Sequence, residues 1–336
     1  MDTFRFSFPL VRVYKEGFMA EEKFAIRMNN VTKEFKVLNR HEGLKGSIKD
    51  LFSRDYKTVT AVDNISIDIM PGEIVGYLGP NGAGKSTTIK MMTGVLEPTR
   101  GEILVNGTVP YKNRTRNAEN IGVVFGQRSQ LWWSLPLIES FNLLKDIYMI
   151  PEADYKQMLD LYRSLADIES LLHKPVRQMS LGQRTLSDIL AAFLHNPKIV
   201  FLDEPTIGLD VSMKAKIREL IKGLNQEKNT TVILTTHDMG DVDALCQRIV
   251  IIDHGSMIYD NDIEHLKHYF GSYRTLRLNL ADSGWKEIIV DESKTDVMSV
   301  IAEYQRKGGI KDISVEDIST EEVIKKIYEN AASRSA

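Results

Sequence analysis

The sequence predicts an α/β protein: a doubly wound core, a helical block inserted into it, and a small second domain after about residue 262. Three observations carry this. Apolar runs of the kind that buried parallel strands show, Ile199-Val200-Phe201-Leu202 and Val232-Ile233-Leu234, alternate with helical stretches. A glycine-rich segment joins another such strand, Glu73 to Leu78, directly to a helix. From about Leu135 to Met179 the pattern is helical, with Leu159, Tyr162, Leu165 and Ile168 in period.

In chain order, Met1 to Phe18 alternates Phe4, Phe6 and Phe8, then runs through Pro9 to the basic Arg12 and Lys15. It lacks the order and cleavage site of a secretory signal. It reads as an upstream extension, with Met19 as an alternative start, or as an interfacial anchor; the anchor reading lacks a helical apolar stripe. A first strand follows over Phe24 to Phe35, with Phe24, Ile26 and Met28 alternating. Lys36 to Lys57 reads as an insertion with Leu44, Ile48, Leu51 and Phe52 at helical spacing. Ile65, Ile67 and Ile69 form the next strand, ended by the turn Pro71-Gly72. The helix from Lys85 keeps Ile89, Met92 and Leu96 on one face. After about Asp262 short strands around Leu276 and Ile288 and helices near Val297 and Glu321 suggest the second domain. The expected divisions are residues 1–22, 23–262 with its helical block at about 129–186, and 263–336.

The balance of 43 Lys plus Arg against 46 Asp plus Glu, net charge -3, gives no electrostatic reason to expect nucleic acid as a partner. A single cysteine, Cys246, excludes an internal disulfide. No apolar run approaches the ~20 residues of a membrane helix.

Gly79-Pro80-Asn81-Gly82-Ala83-Gly84-Lys85-Ser86-Thr87 fits G-x-x-x-x-G-K-[ST] in its required place between strand and helix. Backbone N–H groups of such a loop cradle phosphates, and the helix N-terminus adds positive character. Lys85 is expected on the β- and γ-phosphates of ATP and Ser86 on Mg²⁺. Strand Ile199 to Leu202 ends in Asp203 and Glu204. As consecutive strand residues they are expected to face opposite sides and to differ in role, Asp203 toward Mg²⁺ and Glu204 as general base.

These elements leave kinases, GTPases, helicases and ATPases open. Met179-Ser180-Leu181-Gly182-Gln183, which precedes that acidic pair, resembles the signature of the ABC ATPase superfamily. The order of phosphate loop, Gln127, helical insertion, signature, acidic strand and His237 matches that family over about Phe24 to Tyr259. The resemblance implies a P-loop NTPase (RecA-like) core with an α-helical subdomain, an antiparallel β subdomain and a small α+β C-terminal domain. It implies that Gln127 reaches Mg²⁺ and the attacking water, that His237 is the switch histidine, and that Asp210 of Ile207-Gly208-Leu209-Asp210 faces the opposite subunit. Ser180 would cap a helix while Gly182 lets backbone approach phosphate, with Gln183 beside them. Two chains would close head to tail around two ATP molecules. Leu181 departs from the usual glycine and must turn away from nucleotide. An aromatic residue upstream should stack on adenine: Tyr56, five positions before Ala61, is favoured over Phe35.

Phe125-Gly126-Gln127-Arg128-Ser129-Gln130-Leu131-Trp132-Trp133, the insertion after the first strand and the tail Ile313 to Val323 resemble the type-two exporter branch of bacteria. That implies a peripheral ATPase on the cytoplasmic face of the membrane, powering separate permease subunits. A homodimer is expected, and a soluble ATPase acting on ribosome or DNA is the alternative. Trp132 and Trp133 stand either at the permease interface or packed inside the helical block.

Overall fold

The computed structural model describes residues 24–38, 56–126, 129–269 and 273–335. These divide into two compact units, one ending at Asp260 and one beginning at Asn261. The N-terminal extension and the helical pattern of Leu44 to Phe52 lie outside the described residues.

In the first unit, β1 (Ile26–Leu38) pairs antiparallel with β2 (Tyr56–Ile69) on one side and with β4 (Arg100–Val105) on the other. Ile26 stands opposite both Ile69 and Val105, so three apolar side chains share one face. That face, with Met28, Val31, Ile65, Ile67 and Ile103, is fully buried. Each such side chain contributes roughly 1.5–3 kcal/mol by leaving water. The ladder continues outward to the pair Leu38 and Tyr56, so both strands are longer than their apolar alternation suggests. The two ends of the expected insertion, Lys36 to Leu38 and Tyr56 to Lys57, thus belong to this ladder. The outer part of the ribbon is exposed, and its polar residues carry no burial signal.

The second sheet has six strands in the order β5 (Ile121–Phe125), β6 (Ile199–Asp203), β7 (Thr231–Thr235), β3 (Ile74–Leu78), β8 (Arg248–Asp253), β9 (Ser256–Asp262). The pairs β5–β6, β6–β7, β7–β3 and β3–β8 are parallel. α1 (Lys85–Met92) supplies Ile89, Met91 and Met92 to a core shared by both sheets. The short α2 (Arg114–Ala118) precedes β5. The helical block contains α3 (Leu137–Ile147), α4 (Glu152–Leu165) and α5 (Glu169–Leu172), followed by α6 (Leu181–Phe193). α6 runs unbroken past residue 186 and lies on β5. There Gly122 leaves room, since a Cβ would stand 2.2 Å from the Ala192 carbonyl oxygen. α7 (Val211–Lys228) and α8 (Met239–Leu245) complete the unit.

Arg248, 8% exposed, ties this unit together. Its guanidinium donates to both Asp260 oxygens at 2.7 and 2.8 Å, to the Asp68 carbonyl at 2.7 Å and to Glu73 at 3.3 Å. Arg248→Ala strands two carboxylates and a carbonyl, so a stability loss of about 3–5 kcal/mol is expected. A urea midpoint displaced by less than a surface pair's ~1 kcal/mol equivalent would refute this.

In the second unit, β10 (Tyr273–Leu280) lies between β11 (Gly284–Asp291) and β12 (Ile310–Asp317), all antiparallel. α10 (Val297–Gly308) packs Val297, Val300, Ile301 and Tyr304 against Leu276, Leu278 and Val290. α9 (Ile263–Tyr269) and α11 (Thr320–Ser335) flank these strands in sequence. β12 was not expected as a strand; its Ile313 and Val315 remain exposed, so its alternation marks no buried face.

Candidate functional site

The loop Gly79 to Gly84 leaves the C-terminal end of β3 and closes on α1. Two glycines explain its shape. Gly84 has φ 106°, and a Cβ there would meet the Ala61 carbonyl oxygen at 2.3 Å. Gly82, φ 85°, has open space where a Cβ would stand. The loop thus leans on backbone behind and is open in front. Lys85 is 8% exposed and donates to the carbonyls of Gly79 and of Pro80, the latter at 3.2 Å. Burial lowers its pKa, opposed by the negative charge of Glu204 and Asp203. A desolvated cation held by its own loop's carbonyls, behind an open cradle, suits an anionic ligand. Asn81 and Ser86 are exposed, Ala83 is buried and Thr87 half-buried.

β6 ends at Asp203, whose Oδ1 accepts from Thr235 Oγ1 at 2.5 Å across the parallel ladder. Glu204 then turns into the left-handed region, φ 55°, which costs a non-glycine residue about 1–2 kcal/mol. Its N–H still donates to the Thr235 carbonyl at 2.9 Å. The two carboxylates therefore part company through this turn, not through the strand alternation the sequence suggested. Glu204 Oε1 lies 3.0 Å from His237 Nε2, beyond the end of β7. Burial raises the Glu204 pKa; the neighbouring His237 and Lys85 pull it back and Asp203 pushes it up.

Asp241, which sequence reasoning missed, is completely buried at the start of α8. It accepts from Thr206 at 2.5 Å, Thr236 at 2.9 Å and Arg218 Nε at 2.7 Å. It thereby joins the turn after Glu204, the residue before His237, and α7. Its only sequence signal was a carboxylate four residues after His237.

The signature residues have partners within the chain. Ser180 caps α6, accepting from the Gln183 N–H at 3.2 Å. Gln183 Oε1 in return accepts from the Ser180 N–H at 3.2 Å and from Lys174 at 2.9 Å. Its Oε1 thus closes a capping box. At Gly182 a Cβ would stand 2.5 Å from Met213 Cγ, so this glycine is required by the crossing of α6 and α7, whatever else it does. Gly182→Ala should cost about 1 kcal/mol, the low end for overpacking because methionine is pliable. Met213→Ala in the same chain should restore most of that in a thermal-unfolding double-mutant cycle; independent, additive losses would contradict the crossing. Leu181 turns toward Gly208, where its Cδ2 would be 3.3 Å from a Cβ. Asp210 Oδ1 accepts from the Met213 N–H at 2.9 Å and caps α7.

Gln127 lies outside the described residues. Just beyond it, Ser129 Oγ and the Gln130 N–H donate to Asp188 of α6 at 2.9 and 3.1 Å. Burial pushes the Asp188 pKa up to about 6 against these bonds. Trp132 and Trp133 are 37% and 52% exposed, and the Arg184 guanidinium sits 4.5 Å from the Trp133 ring centre. They are therefore not both core residues.

The register separates the two adenine candidates. Ala61 touches the phosphate loop at Gly84. Tyr56 lies five residues, or about 17 Å of extended strand, further out. Phe35, opposite Val59, is two residues or about 7 Å away. Along the sheet Phe35 therefore stands nearer the phosphate loop than Tyr56.

The sequence profile of the ABC transporter family matches residues 62–207. The NatA ABC transporter ATP-binding protein of Bacillus subtilis is 33% identical over 64% of this chain and 87% of its own length. The chain belongs to the ABC transporter family. The bacitracin transport ATP-binding protein BcrA of Bacillus licheniformis is 31% identical over 72% of this chain and 77% of its own. ABC transporter A family member 1 of Dictyostelium discoideum is 35% identical over 68% of this chain, which spans only 26% of that relative. Among solved structures, CbiO1 of Clostridium perfringens, part of the transporter complex CbiONQ, matches 73% of this chain and 91% of its own. Its TM-score is 0.60 and its identity 26%. The dimeric cassette MJ0796, bound to ADP and Pi, matches 71% of this chain and 98% of its own. Its TM-score is 0.56 and its identity 27%.

Proposed function

We propose that this chain binds and hydrolyses ATP as the peripheral subunit of an ABC transporter, driving separate permease subunits by closure of two ATPase subunits. The observation that carries the reading is the convergence of the open loop with Lys85, Asp203, and the Glu204–His237 pair at 3.0 Å, at the ends of β3, β6 and β7. The loop N–H groups and Lys85 bind the phosphate chain, and Phe35 supplies the base platform. Ser86 and Asp203 would hold Mg²⁺. Two oxygen donors fit an ion that keeps phosphate and water as its other ligands, and no cluster of three metal-ligating side chains occurs among the described residues. Bound there, Mg²⁺ would neutralise charge on the phosphates. Glu204, with its pKa raised by burial, accepts the proton of the attacking water, and His237 fixes its carboxylate. Gln127 is assigned to the same site on the family resemblance alone.

Ser180 and the α6 N-terminus face the partner's ATP, so the dimer is required for turnover. The exposed Leu181, Ile207 and Val211 suit that contact, and a homodimer is the simplest form. Trp132 and Trp133 present exposed aromatic area for the permease. No helix among the described residues is long and apolar enough to cross a membrane, as a peripheral subunit requires. Similarity to a bacitracin transport protein, together with the branch resemblance, supports export. The test combines Mg²⁺-dependent phosphate release by the full chain with affinity capture from detergent-solubilised membranes. Turnover with a co-purifying polytopic protein supports the proposal. Turnover with ribosomes or DNA as the captured partner would replace it with the soluble alternative.

A further inference from the structure

At the opposite end of the parallel sheet from the phosphate loop lies a cavity of about 100 Å³, with Asn106, Thr108, Arg116, Asn117, Asn120 and Lys198 in its wall. Asn120 and Lys198 immediately precede β5 and β6. The five residues of β6 put it roughly 16 Å from Asp203.

Asn117 is 2% exposed, and neither its Nδ2 nor its Oδ1 has a hydrogen-bond partner. Asn106 Nδ2 is likewise buried and unpaired. Leaving one buried polar group unpaired costs about 1–3 kcal/mol, so three such atoms in two side chains lining one hollow imply an occupant. Thr108 and Asn120 are already engaged, donating to the carbonyls of Val105 at 3.0 Å and Arg116 at 2.8 Å. The available groups are the two amides, the Arg116 guanidinium and the Lys198 ammonium. Neither cation has a carboxylate partner among the described residues. The exposed Arg116 and Lys198 stand at the rim of the same hollow, so the buried amide atoms call for an occupant and the two cations favour an anion over neutral water.

We propose that this cavity binds hydrogen phosphate or the phosphate end of a small phosphomonoester. Anionic oxygens accept from Asn106 Nδ2, Asn117 Nδ2, Arg116 and Lys198. The O–H of hydrogen phosphate, or of a monoester bound as its monoanion, donates to Asn117 Oδ1, and a flipped Asn117 amide leaves the same one donor and one acceptor. The volume takes a tetrahedral oxyanion and falls well short of the ~300 Å³ at which pockets for larger organic ligands begin. Sulfate offers the oxygens without the proton and should bind more weakly.

The test uses the full chain carrying Lys85→Ala, so that the glycine loop no longer competes for phosphate. Thermal unfolding is followed while inorganic phosphate, sulfate or glycerol phosphate is added at constant ionic strength. A saturable rise in Tm with phosphate is expected, with sulfate at least ten-fold weaker in apparent affinity. The double variant Arg116→Ala/Lys198→Ala, whose side chains are exposed, should fold and lose at least ten-fold in apparent affinity. Asn117→Leu should lose the response while folding stably, because it replaces an unpaired amide by an apolar group of similar size. Whichever of phosphate and glycerol phosphate binds tighter identifies the free ion or the ester as the occupant. A non-saturable rise shared by sulfate would be general salt exclusion over a water-filled cavity, and would overturn the proposal. So would a phosphate response unchanged in both variants.

Discussion

Glu204→Gln is expected to lower ATP turnover by roughly 10²–10⁴-fold, the usual loss when a general base is removed, with ATP affinity little changed. The substitution keeps the shape of the side chain, and Gln Oε1 can still accept from His237, now 3.0 Å from the Glu204 carboxylate. The loop and Lys85 are untouched. Because burial raises the Glu204 pKa, the wild-type rate should also fall as pH drops through that value, since the protonated acid cannot accept a proton. The variant should lack this acid limb. Without turnover, the ATP-closed dimer should accumulate and elute as such in ATP and Mg²⁺. Near-normal phosphate release by Glu204→Gln would remove Glu204 from the chemistry.

Lys85→Ala should act one step earlier, on binding. Losing a charge-assisted contact of about 1.5–3 kcal/mol corresponds to roughly ten- to a hundred-fold weaker ATP. The loss should be largest for ATP and smallest for AMP, which lacks the β- and γ-phosphates. Lys85 is buried and donates to Gly79 and Pro80, so part of the effect could come from a relaxed loop. The nucleotide series separates these: a relaxed loop weakens AMP and ATP alike, whereas a missing phosphate contact does not. Equal ATP affinity in wild type and variant would show that Lys85 is not the phosphate lysine.

The two sides of the site differed in how legible they were. The glycine loop, the run Ile199 to Glu204 and the Thr235-Thr236-His237 segment are each local patterns, written in consecutive residues. That Glu204 meets His237 depends on β6 and β7 being neighbours, which no local spacing encodes. The left-handed turn at Glu204 was equally invisible, because glutamate has no propensity for it and the surrounding ladder enforces it. Gly182 looked like an accommodation for phosphate; the structure gives it a nearer reason in Met213, thirty-one residues on. Asp241 looked like an ordinary acidic residue in a helix, and only folding gathers Thr206, Thr236 and Arg218 around it.

The sequence by itself determined the α/β core, the order of the motifs and the chemical identity of the groups they carry, because backbone periodicity and glycine requirements act over a few residues. The tertiary structure alone decided that Phe35 is nearer the loop than Tyr56 and that Gln183 closes a capping box. It also placed two unpaired asparagines and two cations in the wall of one cavity. These are facts of strand register and packing between distant segments, where the energy of a contact depends on which residues the fold brings together and not on their distance along the chain.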